Sequence, residues 1–146
     1  MVYADSSFIV SAFGSDANSV QAVNLLAAAG QPIAFTDLHK LEISNALELA
    51  VFRGSHTRAE VKASWSQLLR AVRQKALVTV IIDWRSVLRA ASRLATQHSA
   101  TMGTRSYDIT HVAVARHLRL KTFYSFDKRQ RTLAARLGMK LEPPTL

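Results

Sequence analysis

Two acidic residues lie in apolar stretches of the sequence, where burying a carboxylate costs free energy unless a partner stabilises its charge. The segment VYADSSFIV, residues 2 to 10, places Asp5 after a strand-like apolar run. Nothing in YADSSF offers this acid a positive partner, and an unpaired buried carboxylate is costly to desolvate. Glu42 shares a helical face with Leu38, Asn45 and Leu49, so it points along a largely apolar surface. Acids in such positions favour the binding of a cation.

Two further acids, Asp108 and Asp127, stand at the start of helical patterns. Asp127 precedes KRQRTLAARLG, where it could act as an N-cap with Gln130 completing a capping box, and Asp108 could cap ITHVAVARHL in the same way. Asp37 and Asp83 also stand just before helices, and for these two the cap is the favoured interpretation. Taken singly, each of these acids has a structural explanation.

If carboxylates converge, their repulsion has to be relieved, and a divalent cation does this directly. A set of oxygen ligands suits Mg²⁺ or Mn²⁺ better than zinc, and the chain has no cysteine. The five histidines lack HxxxH or HExxH spacing and are interpreted as structural. There is no GxSxG, GxGxxG or GxxxxGK[ST] motif, so a serine nucleophile, a dinucleotide and a P-loop nucleotide are not supported.

Short β-rich runs alternate with helical patterns, which predicts parallel strands with helices on both faces. The predicted strands are 2–4, 33–36, 78–82, 122–125 and 139–141, and the predicted helices are 18–29, 38–53, 57–76, 84–98, 107–118 and 128–137. In such a fold the carboxyl ends of strands and the amino ends of the following helices share one edge, where ligands bind. Asp5, Glu42, Asp108 and Asp127 fall on that edge. The same rule also admits Asp16, Asp37 and Asp83.

Length and composition predict one globular domain over residues 1–146, with 49% apolar residues available for a core. No leader segment and no apolar run near the ~18 residues of a membrane span is visible, so we expect a soluble, cytoplasmic protein with no membrane partner. The net charge is +9. Between Trp84 and Lys140 twelve Lys or Arg accompany two acids, a balance that attracts polyanions such as nucleic acid.

Four segments give the chain a resemblance to PIN-domain ribonucleases, and within them to the VapC-type toxins of bacterial toxin–antitoxin pairs. They are VYADSSFIVSAF, LHKLEISNALELAV, TRSYDITHVAVARHLRL and TFYSFDKRQRTLAARLGMKL. The last two are the most specific, since a common toxin subgroup reads Asp, two residues, His-Val-Ala and later Thr-Phe-Asp. Ser125 stands where that subgroup has threonine, which keeps the hydroxyl. The resemblance covers nearly the whole chain.

The resemblance implies a three-layer α/β/α sandwich with a central, mostly parallel sheet, and hydrolysis of RNA with one or two Mg²⁺ or Mn²⁺ ions. It assigns Asp5, Glu42, Asp108 and Asp127 as catalytic metal-binding acids. It also implies a cognate antitoxin and a homodimer, without a nucleotide cofactor. The supporting polar residues are Ser6, Asn45 and Ser125, and the basic residues next to the acids in sequence, which are candidates for RNA phosphate contacts, are Arg105, Lys128, Arg129 and Arg131.

Two other functions are compatible with parts of the sequence. A non-catalytic nucleic-acid-binding α/β module would use the basic segment alone, but it has no use for carboxylates in its cleft. A phosphatase-like domain would use Asp5 as a nucleophile. The Asp-x-Asp of such phosphatases is absent, since DSS stands there.

Overall fold

The structure is a computed structural model, and it describes residues 1–144 of the chain. Seven helices and five short strands alternate over these residues. In chain order they are β1 (Tyr3–Ala4), α1 (Ser6–Phe13), α2 (Ser19–Ala29), β2 (Ile33–Phe35), α3 (Asp37–Phe52), α4 (Arg58–Arg73), β3 (Leu77–Thr79), α5 (Trp84–Met102), α6 (Ser106–His117), β4 (Thr122–Tyr124), α7 (Lys128–Arg136) and β5 (Lys140–Glu142). The predicted α/β class and the parallel strand pairing are confirmed.

The chain divides into two compact units. The first comprises residues 1–5 together with the chain from Ile81 onward, and the second comprises Ser6–Val80. Each unit has its own parallel sheet. The first contains β1, β4 and β5 in that order, and the second contains β2 beside β3.

The sheet of the first unit is built on buried aromatic side chains. Tyr3 pairs with Phe123 and Ala4 with Tyr124, and the Tyr3 and Phe123 rings stack with centroids 5.6 Å apart. Because β1 and β4 are parallel, the residues that follow Ala4 and Tyr124 leave the sheet at the same edge. This pairing places Asp5 and Ser125 side by side.

Helix α6 is the core helix of the same unit. Every residue from Asp108 to Ala115 is buried, which fits the nearly continuous apolar run in its sequence. The Tyr3 hydroxyl lies 2.8 Å from Nδ1 of His111, so a buried hydrogen bond joins β1 to α6. A hydrogen bond therefore joins the strand that ends just before Asp5 to the helix that carries Asp108.

The second unit packs α1 with α2, α3 and α4, and its two strands pair Ile33 with Leu77. Thr36 precedes α3, and its backbone amide donates to Nδ1 of His39 at 3.0 Å. His39 is fully buried and stacks on Phe35. Its structural interpretation is thereby supported, as is that of His111 in the first unit.

Helix α1 is the main element missing from the sequence-based prediction. Its eight residues bury Ser6, Phe8, Ile9, Ser11 and Ala12, so no polar stripe reveals a helical period. The third strand was also predicted too late in the chain. It ends at Thr79, and Ile81, inside the predicted strand, is 98% exposed.

Two of the predicted caps are confirmed and two are wrong. Asp83 caps α5 and Asp127 caps α7. Asp37, in contrast, is the first residue of α3 behind Thr36, and Asp108 is the third residue of α6. In residues 1–144 there is no helix long and apolar enough to cross a membrane.

Candidate active site

Asp5 is the most buried of the candidate acids, with 1% of its surface exposed. Its backbone amide continues the β1–β4 pairing by donating to the carbonyl of Tyr124 at 3.0 Å. Its carboxylate oxygen Oδ2 accepts a short hydrogen bond from the Ser125 hydroxyl. A carboxylate held inside the fold by a hydroxyl is oriented, and its burial makes any nearby cation strongly attractive.

Ser125 connects Asp5 to the start of α7. The hydroxyl that donates to Asp5 also accepts the backbone N–H of Asp127 at 2.9 Å. Asp127 in turn caps α7, with Oδ1 accepting from the amides of Arg129 at 2.8 Å and Gln130 at 3.0 Å. Both cap bonds end on one carboxylate oxygen, so the cap does not use Oδ2. Capping and cation binding are compatible for this residue.

Asp108 combines burial with a position in the first turn of α6. It is 8% exposed, and its Oδ2 accepts the backbone N–H of Arg105 at 2.9 Å. This bond satisfies an amide at the helix start that has no partner inside the helix. The positive end of the helix dipole also favours a carboxylate there.

Gln130 reaches from α7 to Asp108. Its Nε2 lies 3.5 Å from Oδ1 of Asp108, at the outer limit of a hydrogen bond. Its Oε1 is buried and has no hydrogen-bond partner within residues 1–144. A buried amide oxygen without a donor costs about 1–3 kcal/mol. The prediction that the Gln130 side chain completes a capping box with Asp127 is therefore wrong, because that side chain lies against Asp108 instead.

The second unit holds the remaining acid and two of the supporting residues. Ser6 donates from Oγ to Oε2 of Glu42 at 2.6 Å. Ser6 follows Asp5 directly in the chain and begins α1, while Glu42 lies in the second turn of α3, half-buried. Asn45 is exposed one turn further along α3. The bond gives Ser6 a defined partner that the sequence could not identify.

The four basic candidates differ in what their side chains do. Lys128 and Arg129 are exposed in the first turn of α7, and Arg105 is exposed just before α6. Arg131 is half-buried, and its guanidinium donates to the carbonyls of Ser125 at 2.9 Å and Pro143 at 2.8 Å. The exposed three are available to an anion, whereas Arg131 supports the backbone that carries Ser125.

The donor set of the first unit fits a divalent cation in kind. Asp5, Asp108 and Asp127 supply carboxylates, and the orphaned Oε1 of Gln130 adds a neutral oxygen. Oxygen ligands of this type are those that Mg²⁺ and Mn²⁺ prefer. Across residues 1–144, however, no three Asp, Glu or His side chains are gathered closely enough to form a ready-made metal cage.

Gln130 is the candidate functional residue that sequence reasoning placed in the wrong role. The sequence did contain a signal for this role. Gln130 is the third residue of α7, so it lies on the same side of the helix as the capping residue Asp127. What the sequence lacked was the long-range contact that places Asp108 beside α7.

Three comparisons place this chain among known proteins. A family model for the PIN domain matches residues 2–136. A search of curated proteins gives no match. Among solved structures, the crystal structure of VapC20 from Mycobacterium tuberculosis, a toxin that cleaves the sarcin-ricin loop, superposes with a TM-score of 0.61. The sequence identity is 19%, over 90% of this chain and 94% of that one, a level of likeness that concerns the fold.

Proposed function

The chain belongs to the PIN-domain family, and we propose that it is a metal-dependent endoribonuclease, the VapC-type toxin of a toxin–antitoxin pair. The observation that carries the proposal is the buried Asp5 carboxylate, linked through Ser125 to Asp127. A chain that only bound nucleic acid would have no reason to bury an acid at this edge of its sheet. The net charge of +9 fits an RNA substrate.

The proposed roles follow the chemistry of each side chain. Asp5, Asp108 and Asp127 hold one or two Mg²⁺ or Mn²⁺ ions, and the family resemblance adds Glu42 to this set. When bound, such ions polarise the phosphodiester and lower the pKa of a bound water. Ser125 orients the Asp5 carboxylate.

Polar and basic residues complete the proposed site. Gln130 restrains Asp108, and the Ser6 hydroxyl restrains Glu42. Lys128, Arg129 and Arg105 contact phosphates on either side of the scissile bond. Such contacts fix the register of the RNA strand without reading its sequence.

The toxin assignment carries further expectations. The proposal includes a cognate antitoxin that covers the acids, a homodimer, and action in the cytoplasm, where cellular RNA is found. These expectations rest on the family resemblance. Gel filtration of the purified chain, alone and with its antitoxin, tests the first two.

The experiment that tests the activity is cleavage of a cellular RNA pool by the purified protein with Mn²⁺. We expect discrete fragments from the wild type, and loss of cleavage with EDTA or with Asp5→Asn. Asp37→Asn is the matched control, because this substitution removes the same charge. In the described chain Asp37 is exposed and forms a salt bridge with Lys40. Full cleavage by Asp5→Asn would refute the site. Tight RNA binding without cleavage by any of the proteins would favour the non-catalytic binding module.

A further inference from the structure

A cationic groove lies between α5 and α6, within the first unit. It encloses about 470 Å³. The side chains that bound it with polar or charged groups are Ser86, Arg93, Gln97, Arg116 and His117. Its apolar lining consists of Ala90, Leu94 and Ala113.

We propose that this groove is a second RNA-binding site, which takes the phosphate backbone of a structured RNA at a distance from the candidate acids. The inference rests on the proposed ribonuclease function and adds to it how a long substrate is held. None of the groove residues belongs to the candidate active site.

The chemistry of the groove matches a phosphate diester. Arg93 and Arg116 are exposed and supply planar guanidinium groups, which bind phosphate oxygens in pairs. Gln97 lies one helical turn from Arg93 on the same face of α5, so it adds an amide donor beside it. His117 supplies a further ring nitrogen at the mouth of the groove.

One carboxylate, that of Asp83, contacts the groove residue Ser86. Asp83 lies at the start of α5, where its carboxylate accepts from the amide of Ser86 at 3.2 Å and from its hydroxyl at 2.6 Å. It lies close enough to His117 for a weak charge interaction, the smallest of the influences on its pKa. Asp83 thus adds one negative charge beside Ser86, against the two arginines, Arg93 and Arg116, that line the groove.

An acidic protein segment fits the groove less well than RNA does. Protein segments usually anchor in a groove through large apolar side chains placed in apolar pockets. Here the apolar lining consists of two alanines and one buried leucine, and the rest of the lining supplies cationic side chains and an amide. A row of phosphates, which needs charge and donors rather than an apolar pocket, matches this lining.

The position of the groove determines which substrates use it. Arg116 lies eight residues beyond Asp108 on α6, about 12 Å along the helix axis. His117 projects from the opposite side of α6 to Asp108, given about 100° of rotation per residue. Because His117 projects away from Asp108, a strand of only a few nucleotides bound at the acids does not also occupy the groove, whereas a folded RNA with a stem can contact both.

The test compares the double variant Arg93→Gln/Arg116→Gln with Arg70→Gln/Arg73→Gln. The control pair removes the same charge from exposed positions in the last turns of α4, outside the groove. The probes are a labelled hairpin RNA with a long stem and a short single-stranded RNA that the wild type cleaves. Fluorescence anisotropy over a range of salt concentrations gives the hairpin affinity, and single-turnover cleavage gives the rate on the short RNA.

We expect the groove variant to bind the hairpin severalfold more weakly. Its salt dependence should fall by about 0.7 to 0.9 in slope for each lost phosphate contact. Cleavage of the short RNA should be unchanged, because that RNA does not reach the groove. The control variant should lose clearly less hairpin affinity than the groove variant does.

Three other outcomes overturn the proposal. Equal losses in both double variants would show a general effect of charge, and unchanged hairpin binding would show that the groove is not used. Loss of binding to poly-glutamate in the groove variant, with hairpin affinity intact, would assign the groove to an acidic protein segment. Failure of the wild type to cleave any RNA would instead refute the proposed function. The cleavage assay shows this independently of the anisotropy measurement that tests the groove.

Discussion

Ser125 is the residue that contacts both Asp5 and the backbone of Asp127, so its hydroxyl should control how these two acids are oriented. We expect Ser125→Ala to lower the cleavage rate by about 10- to 100-fold, the usual effect of losing a residue that orients a metal ligand. Ser125→Thr keeps the hydroxyl and should restore most of the rate. The measurement is single-turnover cleavage over a Mn²⁺ titration. A wild-type rate for the alanine variant would show that Asp5 does not need this bond.

The sequence could identify the acids but could not show how they are held. Asp5 stands out because the sequence around it, YADSSF, contains no basic residue. Its bond to Ser125 joins residues 120 positions apart, and the contact of Gln130 with Asp108 joins residues 22 apart. Such contacts depend on which strands pair and which helices pack, and no local pattern encodes them. The same holds for Ser6, whose partner Glu42 lies on another helix.

The hydrogen bond between Tyr3 and His111 joins strand β1 to helix α6, so it should matter for both stability and activity. Tyr3→Phe removes the hydroxyl and keeps the ring that stacks on Phe123. Loss of this buried bond should lower the free energy of unfolding by about 1–3 kcal/mol. Cleavage should also fall, because Asp5 follows β1 and Asp108 lies on α6. Urea denaturation and the cleavage assay measure the two effects.

Tyr107→Phe is the matched control for that substitution. Tyr107 lies on the same helix and is 53% exposed, so removal of its hydroxyl should leave stability and activity unchanged. If both phenylalanine variants were as stable as the wild type, the buried bond would not be what ties β1 to α6.

The cap of α5 gives a stability effect that depends on pH. Hydrogen bonds from the Ser86 hydroxyl, and then from its amide, lower the pKa of Asp83 below its ordinary value. A carboxyl whose pKa is lower in the folded state stabilises the fold above its unfolded pKa, and loses this effect as pH falls through the folded value. Asp83→Ala should therefore melt below the wild type at pH 7, and the gap should begin to narrow as the pH falls below about 4.

Asp83→Asn separates the cap from the charge. Asparagine keeps an oxygen acceptor for the cap but lacks the charge, so this variant should melt between the wild type and the alanine variant at pH 7, with a gap to the alanine variant that does not change with pH. Thermal melts followed by circular dichroism between pH 7 and pH 3 test the three proteins together. A gap between wild type and alanine variant that stays constant with pH would contradict the stabilising role assigned to the Asp83 charge.

At the level of elements, the sequence predicted the strands and most helices because their patterns are local. Six of the seven helices have an alternation of apolar and polar residues that reveals their period. Helix α1 lacks it, since five of its eight residues are buried. In the run VTVIID the sequence predicts more strand than the structure contains. Its β-branched residues favour a strand, but β3 ends at Thr79 and Ile81 is exposed.

The chain as a whole is positively charged, whereas the main residues of its candidate site are acids. Nineteen Lys or Arg against ten Asp or Glu favour any polyanion, whatever the site does with it. Charge alone could not separate a nuclease from a nucleic-acid-binding module. The distinction comes from the buried acid, which adds nothing to the attraction for RNA and for which the proposed cation site gives a reason.

Cation binding should therefore appear in the stability of the whole molecule. A cation that binds only the folded chain stabilises it by about 2.7 kcal/mol when its concentration is 100 times the dissociation constant. We expect millimolar Mn²⁺ to raise the melting temperature of the wild type, and to have little effect on Asp5→Asn. Asp37→Asn should keep the full increase, because its carboxylate is exposed and is not one of the proposed ligands. Equal increases in all three proteins would mean that the ion binds elsewhere, and the assignment of Asp5 as a ligand would then be wrong.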